Sequence, residues 1–316
     1  MIVAITGATG FIGRHLIARH CARGDHVRYL TRKPSSARLA GASAFIGDLT
    51  SPVSLLKEFV DGADVLYHCA AELKNEAKMQ QTNVLGTSLL IAAAGGNIGR
   101  WVQLSSTGVY GRNVSGEVRE DTAVNPSNAY EISKEASDNV VRTAAGRAGV
   151  PFVVLRPSNV YGSDMPNQSL YELIRAIDRG LFFFIGAPGA AANYVHVENV
   201  VDALVLCATA ALPADGRTYV VSDHRTQEEL VRAIASSLGR AAPKLRLPEP
   251  FVRAVSMALQ SIPGFPLTPS RIDALTSRTI YRSDRIRAEL GYQNRISMEA
   301  GMDELVHQWQ DRSGGH

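Results

Sequence analysis

Tyr130 and Lys134 stand four residues apart in Tyr130-Glu131-Ile132-Ser133-Lys134, the spacing that sets two side chains on one face of a helix. A phenol transfers protons poorly near neutral pH, but a nearby positive charge favours its ionised form and makes it a usable acid or base. Upstream, Ser105-Ser106-Thr107-Gly108-Val109-Tyr110-Gly111 follows a short apolar run. A hydroxyl at the end of such a run can polarise a substrate oxygen. Phenol, ammonium and hydroxyl together suit proton movement at an alcohol or ketone.

A second group of residues binds rather than reacts. Thr6-Gly7-Ala8-Thr9-Gly10-Phe11-Ile12-Gly13 follows an apolar run and opens a helical pattern. Gly7 permits a tight turn, Gly10 lets backbone approach a pyrophosphate, and Gly13 lets the helix pack close to the strand. Thr9, Phe11 and Ile12 complete the turn, and the N–H groups of the new helix face the anion. The pattern is that of a dinucleotide site. About twenty residues further on, an NAD enzyme places a carboxylate on the ribose hydroxyl, but here the chain reads Leu30-Thr31-Arg32-Lys33. Arg32 and Lys33 suit a 2′-phosphate, so the local chemistry leans to NADP(H) within NAD(P). An oxidised nicotinamide beside Tyr130 would add its positive charge to that of Lys134.

These residues need a scaffold, and the apolar pattern supplies one. Runs at 2–5, 26–30, 44–46, 65–68, 102–104 and 152–155 lack polar alternation and predict strands of a parallel sheet covered on both faces. Helical periodicity fills the gaps at 12–23 before Gly24, at 52–60 with Ser51 as cap and Pro52 in first position, at 79–94 and at 129–146. The expected fold is α/β: a doubly wound Rossmann sheet with a smaller, interleaved C-terminal substrate domain. The dinucleotide domain spans 1–162 with a return segment near 194–222, where Tyr194 to Leu206 is expected to rejoin the main sheet. The return segment is expected to hold a helix at 198–210 and a strand at 218–221, and the substrate domain takes 163–193 and 223–316, with a helix expected at 227–238 and a Pro-rich stretch from Pro243 to Pro269 that includes Pro263 and Pro266.

Composition removes other function classes. The 316 residues are 45% hydrophobic and 20% charged, enough to bury a large core. Lys and Arg number 33 against 30 Asp and Glu, a net +3 without like-charge blocks, so no nucleic-acid partner is indicated. Cys21, Cys69 and Cys207 lie far apart, in no metal-ligand or disulfide pattern. No apolar run reaches the ~20 residues of a membrane span, and strand residues follow Met1 directly, which places the protein in the cytoplasm as an expectation.

The motifs in order resemble those of an extended short-chain dehydrogenase/reductase of the NAD-dependent epimerase/dehydratase family. They are the glycine pattern, Asp48-Leu49, His68-Cys69-Ala70-Ala71, Asn83 in Thr82-Asn83-Val84-Leu85-Gly86-Thr87, the serine run, Tyr130 with Lys134, Arg156-Pro157-Ser158-Asn159-Val160-Tyr161-Gly162, Tyr194-Val195-His196-Val197 and Leu290-Gly291-Tyr292. The resemblance implies that Asp48 with Leu49 meets the adenine and that Ala70 and Ala71 line the cofactor path. It makes Tyr130 the acid/base, gives Lys134 the nicotinamide ribose, and assigns the reacting oxygen to Ser106 with Thr107 beside it. Pro157 and Val160 would touch the nicotinamide and Asn159 the phosphate side of the substrate. It also implies a homodimer built on the helices at 79–94 and 129–146. By residue type alone, Asn83, Tyr110, Tyr161 and His196 read as packing or hydrogen-bonded core residues.

Within the family, dehydratases carry Asp-Glu after the serine or threonine, whereas this chain has Thr107-Gly108. Many epimerases carry Arg-Asp before the Tyr-Val-His-Val run to clamp a diphosphate; here Ala192-Asn193 stands, and Arg271 is the substitute candidate. A nucleotide-sugar 4-epimerase is the leading expectation on family grounds. A 4-keto-sugar reductase using NADPH is next, then a hydroxysteroid- or flavonoid-type alcohol dehydrogenase with an apolar pocket near 181–184. A cofactor-sensing regulator fits poorly with Ser106, Tyr130 and Lys134 all present.

Overall fold

The computed structural model describes residues 1–33, 39, 41–112, 114–210, 215–259 and 267–314. Pro263 and Pro266 lie outside the described residues. In chain order the elements begin β1 (Ile2–Thr6), α1 (Phe11–Ala22), β2 (His26–Thr31), β3 (Ala42–Ile46), α2 (Val53–Val60) and β4 (Val65–His68). Next come α3 (Glu76–Met79), a wide π turn over Gln80–Leu85, α4 (Gly86–Ala94), β5 (Arg100–Leu104), β6 (Gly116–Val118) and α5 (Ala129–Val140), which also ends in a π turn. Then follow β7 (Phe152–Pro157), β8 (Asn159–Tyr161), α6 (Ser169–Asp178), β9 (Phe184–Ile185), β10 (Ala191–His196), α7 (Val197–Thr209), β11 (Asp215–Val221) and β12 (Asp223–Thr226). The chain closes with α8 (Gln227–Ser237), β13 (Arg246–Leu247), α9 (Glu249–Leu259), α10 (Pro269–Thr276), β14 (Thr279–Tyr281), α11 (Asp284–Leu290) and α12 (Met298–Gly314).

Seven parallel strands form the main sheet in the order β11-β7-β5-β4-β1-β2-β3. The expected doubly wound sheet is present, and its order reverses between β1 and β4. Strand alternation explains how both faces close. Val3, Ile5, Val65, Tyr67, Val102 and Leu104 pack with Leu16 and Ile17 of α1 and Val200, Val201 and Leu204 of α7. Ala4, Leu66, Trp101 and Val154 face the other way, onto Leu56 and Phe59 of α2 and Leu90 and Ile91 of α4. All four side chains of β4 and all six of β7 are buried, as an uninterrupted apolar strand covered on two sides requires.

The C-terminal half builds its own core from α6, α8 and α12, where Leu170, Ile174, Leu230, Ile234, Met302 and Leu305 meet. A capping box between Thr226 and Glu229 starts α8. Two expectations need correction. Tyr194 to Leu206 does not rejoin the main sheet as strand: β10 pairs with β8 and β12 in a separate three-stranded sheet. It is α7 that covers the main sheet and β11 that adds its edge strand. Ser51 does not cap α2 either; its Oγ accepts from the Asp48 N–H at 2.9 Å, leaving Pro52 at the cap position. Among the described residues, no helix is long and apolar enough to cross a membrane.

Candidate active site

The carboxyl ends of β1, β4, β5 and β7 meet where the strand order reverses, the place where open α/β sheets bind ligands. The glycine turn sits there because nothing larger fits. Gly7 has φ of +71°, and a Cβ on it would lie 2.5 Å from the Ala70 nitrogen. A Cβ on Gly13 would lie 2.3 Å from the Gly7 oxygen. Gly10, the N-cap of α1, donates its N–H back to the Gly7 carbonyl at 3.0 Å. The backbone is thus drawn tightly round the helix start, with Thr9 and Gly10 exposed and Phe11 and Ile12 half-buried. That cradle fits a pyrophosphate.

Around it lie the other residues expected to meet a dinucleotide. Ala70 and Ala71 are half-buried after β4, and the Ala70 N–H donates to Thr6 Oγ1 at 3.3 Å. Asp48 takes Thr50 N–H and Oγ1 into its carboxylate at 2.9 and 2.8 Å, while Leu49 is buried beneath. Arg32, 78% exposed just beyond β2, stands 3.9 Å from Asp48, and Thr31 Oγ1 donates to the Lys33 carbonyl at 3.0 Å. Arg32 and Asp48 therefore share the rim where the second and third strands end.

The residues expected to react follow β5 and stand on α5. Ser106, directly beyond β5, accepts the Gly108 N–H on its Oγ at 3.0 Å, with Thr107 buried next to it. Asn128 caps α5 by accepting the Glu131 N–H, and Glu131 Oε2 in turn accepts Ser127 N–H and Oγ at 2.8 Å each. This anchors the first turn, which carries Tyr130. Lys134, 3% exposed, donates from Nζ to the Leu104 carbonyl at 2.7 Å, leaving two of its three protons for other acceptors. Burial, with Asp138 and Glu131 adding to it, pushes the Tyr130 phenol up to about 12. Burial lowers Lys134, against the opposing pull of Asp138 and Cys69.

On the far side, Pro157 ends β7, exposed Asn159 opens β8 and Val160 is half-buried behind it. Gly162 leaves room for the Phe11 ring, 3.3 Å from where its Cβ would be. Arg271 forms an ion pair with Glu172 at 2.7 Å, from α10 to α6, and its charge reaches Tyr194, the β10 residue in register with Asn159. Asn193 is spent on structure, donating Nδ2 to the Thr279 carbonyl at 2.7 Å and accepting the Tyr281 N–H at 3.4 Å.

Asn83, His196, Tyr110 and Tyr161 are buried. Asn83 ties the π turn to the chain after β4, accepting Glu72 N–H at 2.7 Å and donating to Ser133 Oγ at 2.9 Å. His196 caps α7 through Nδ1 at 3.3 Å from the Glu198 N–H. Sequence reasoning missed Asp138. It is fully buried, accepts Ser105 Oγ at 2.8 Å and the Arg156 guanidinium at 3.1 and 3.3 Å, and falls on the Tyr130 and Lys134 face of α5. The sequence signal was an acidic residue one turn beyond Lys134 on an inward-facing stripe.

A glycine cradle at the switch point of a doubly wound sheet, with hydroxyl, phenol and ammonium on the adjacent strand and helix, defines a dinucleotide-dependent enzyme of the extended short-chain dehydrogenase/reductase type. The chain belongs to the NAD dependent epimerase/dehydratase family, whose model matches residues 3–222. It is 29% identical to 4-hydroxy-2-methyl-3-oxo-4-farnesyl-3,4-dihydroquinoline-1-oxide ketoreductase of Stigmatella aurantiaca, over 95% of this chain and 94% of that one. With the 3 beta-hydroxysteroid dehydrogenase/Delta 5-->4-isomerase of Mycobacterium tuberculosis it shares 27% identity, over 96% and 89% of the two chains. The solved structure of MoeE5 in complex with UDP-glucuronic acid and NAD superposes with a TM-score of 0.76 at 25% identity, covering 99% of this chain and 100% of that one. The protein is an NAD-dependent epimerase/dehydratase-type oxidoreductase.

Proposed function

We propose that the protein is an NAD(P)-dependent ketoreductase, reversible as a secondary-alcohol dehydrogenase, acting on an apolar ring-bearing or prenylated substrate. The observation that carries this reading is the missing diphosphate clamp. Ala192 and Asn193 occupy the clamp positions, Asn193 is committed to β14, and Arg271 is held by Glu172. The ketoreductase and hydroxysteroid dehydrogenase relatives point the same way. Exposed Leu181 beside half-buried Phe182 and Phe183 offers apolar surface next to the C-terminal core.

In this reading Gly7, Gly10 and Gly13 hold the pyrophosphate, with Thr9, Phe11 and Ile12 lining it. Asp48, Leu49, Ala70 and Ala71 follow the adenosine half, and Pro157 and Val160 back the nicotinamide. The bound nicotinamide supplies the hydride for ketone reduction, or accepts it when the alcohol is oxidised. Ser106 donates a hydrogen bond to the carbonyl oxygen, with Thr107 shaping that wall and Asn159 the substrate's other side. Tyr130 gives its proton to that oxygen as hydride reaches the carbon, so ketone, hydride and proton become alcohol. Lys134 holds the ribose with its remaining protons, and its charge lowers the cost of the phenolate.

Arg32 supports NADP(H). Its guanidinium offsets Asp48 at the rim and presents donors to a 2′-phosphate. A nucleotide-sugar 4-epimerase is the second reading, favoured by the likeness to MoeE5 with its bound UDP-glucuronic acid and NAD. The test is to denature the purified protein, identify any released cofactor, and then assay NADPH oxidation with steroid and prenylated ketones. Exchangeable NADPH and ketone-dependent oxidation are expected. Tightly retained NAD, with epimerised UDP-sugar and no net cofactor consumption, would establish the epimerase instead.

Homodimerisation belongs to the same proposal. Leu85 in the π turn before α4 and Ile132 on α5 are 48% and 51% exposed, giving two neighbouring helices apolar side chains to cover. Light scattering should return twice the monomer mass.

A further inference from the structure

Beside α5, and apart from the glycine turn and Ser106, Tyr130 and Lys134, lies an open cavity of about 420 Å³. Among the described residues, Arg142, Arg156, Arg217 and Arg285 line it against two carboxylates, Glu120 and Glu135. The lining itself is basic, with Asp138 pairing Arg156 and Glu289 standing beside Arg217 from outside it. Among the described residues, Arg142 hydrogen-bonds to neutral oxygens, Asn139 Oδ1 at 3.2 Å and Thr218 Oγ1 at 3.3 Å. Arg217 stands 3.8 Å from Glu289, and Arg285 stands 3.7 Å from Glu120, beyond hydrogen-bond reach. Glu120 Oε1 is already engaged by the Val220 N–H at 2.9 Å.

Arg156 differs from the other three. It is 2% exposed, held through Nε and Nη2 by Asp138 and laid over the Tyr110 ring at 5.0 Å. One guanidinium is therefore fixed in the wall, while three others keep donors outside any short charge-assisted bond. Planar guanidinium forks match phosphate oxygens, and the volume falls in the range of small-molecule sites. We infer that this cavity is a binding site for a phosphorylated anion of diphosphate size, gripped by Arg142, Arg217 and Arg285 against the anchored Arg156.

The test uses full-length protein saturated with NAD, so that the glycine cradle is filled, and titrates inorganic pyrophosphate by calorimetry at constant ionic strength. Saturable binding of one pyrophosphate per chain is expected. The double substitution Arg217→Ala with Arg285→Ala should weaken it at least about tenfold, the value of one charge-assisted hydrogen bond, with NAD affinity unchanged. Glu120→Gln, which keeps the acceptor for Val220 and removes the charge opposite Arg285, should tighten it. Circular dichroism of each variant establishes that the fold is kept. Absence of saturable heat in the parent, or binding that is indifferent to both substitutions, overturns the proposal.

Discussion

Thr6 and His68 share a buried hydrogen bond, Oγ1 to Nδ1 at 2.7 Å, that joins the residue before the glycine turn to the end of β4. The other ring nitrogen, Nε2, lies 2.9 Å from Thr87 Oγ1. Thr87 sends its single proton to the Asn83 carbonyl at 2.6 Å, so it accepts from Nε2–H, and Nδ1 accepts from Thr6. Thr87 Oγ1 is also 3.0 Å from Ser137 Oγ on α5, which in turn accepts Gln103 Nε2 at 3.0 Å. A continuous polar chain thus runs from the pyrophosphate turn to the helix that carries Tyr130 and Lys134.

Because that chain needs a neutral imidazole, His68 should make stability pH-dependent. Burial first, and the Lys134 charge second, hold His68 down at about 3, whereas an unfolded histidine titrates near ~6.5. Between these values the unfolded chain binds the extra proton. The stabilisation is complete above the upper value and is lost as pH falls towards the lower, with a slope approaching about 1.4 kcal/mol per pH unit. His68→Gln lacks the titrating group. Urea unfolding from about pH 6.5 down to 4 should show a shallower loss in the variant than in the parent; parallel curves would contradict the buried neutral ring.

Gly13→Ala tests the close approach of α1 to its strand. The added methyl would sit 2.3 Å from the Gly7 oxygen and 2.7 Å from Ala8 Cα, so backbone must move. Overpacking of this kind costs about 1–3 kcal/mol, and the displaced turn should lose most of its NAD affinity. Thermal melting and equilibrium dialysis measure the two effects, and a variant with normal melting and normal NAD affinity would remove the cradle from the argument.

The sheet and the glycine turn were legible because their signals are local: apolar runs for strands, three glycines at helix-start spacing, and a Tyr–Lys pair one turn apart. Asp138 was half legible, being on the same stripe yet lacking a partner visible in sequence. The pairing of Arg271 with Glu172 was not, since it joins residues 99 apart. Nor was the placement of 191–196, whose apolar run suits either sheet until β8 and β12 claim it. The polar chain through His68, Thr87 and Ser137 depends on a π turn at Gln80–Leu85, and a π turn changes helical phase without a residue-type signature.

The proposed preference for NADP(H) turns on Arg32. At 78% exposure its pairing with Asp48 at 3.9 Å is weak, so the guanidinium can reach a 2′-phosphate. Arg32→Ala should weaken NADP(H) binding by about tenfold, one charge-assisted contact, and change NAD affinity much less. Fluorescence titration with both nucleotides decides it. Equal losses for the two would assign Arg32 to general anion attraction.

In the proposed mechanism Lys134, one helical turn beyond Tyr130, is held by its contact with the Leu104 carbonyl. Tyr130→Phe removes the proposed proton donor and leaves the cradle intact, so turnover should fall by at least ~100-fold with NAD affinity nearly unchanged. Lys134→Met acts differently. Burial already raises the phenol to about 12; in the proposed mechanism the ammonium favours the phenolate, so its loss is expected to raise the phenol further. Alcohol oxidation needs the phenolate, so its rate climbs with pH, and removing the ammonium moves that climb to higher pH. Profiles of kcat/KM against pH for the parent and Lys134→Met measure the displacement directly. An unmoved profile would mean that Lys134 serves only to hold the ribose and β5, and full turnover in Tyr130→Phe would require another proton donor.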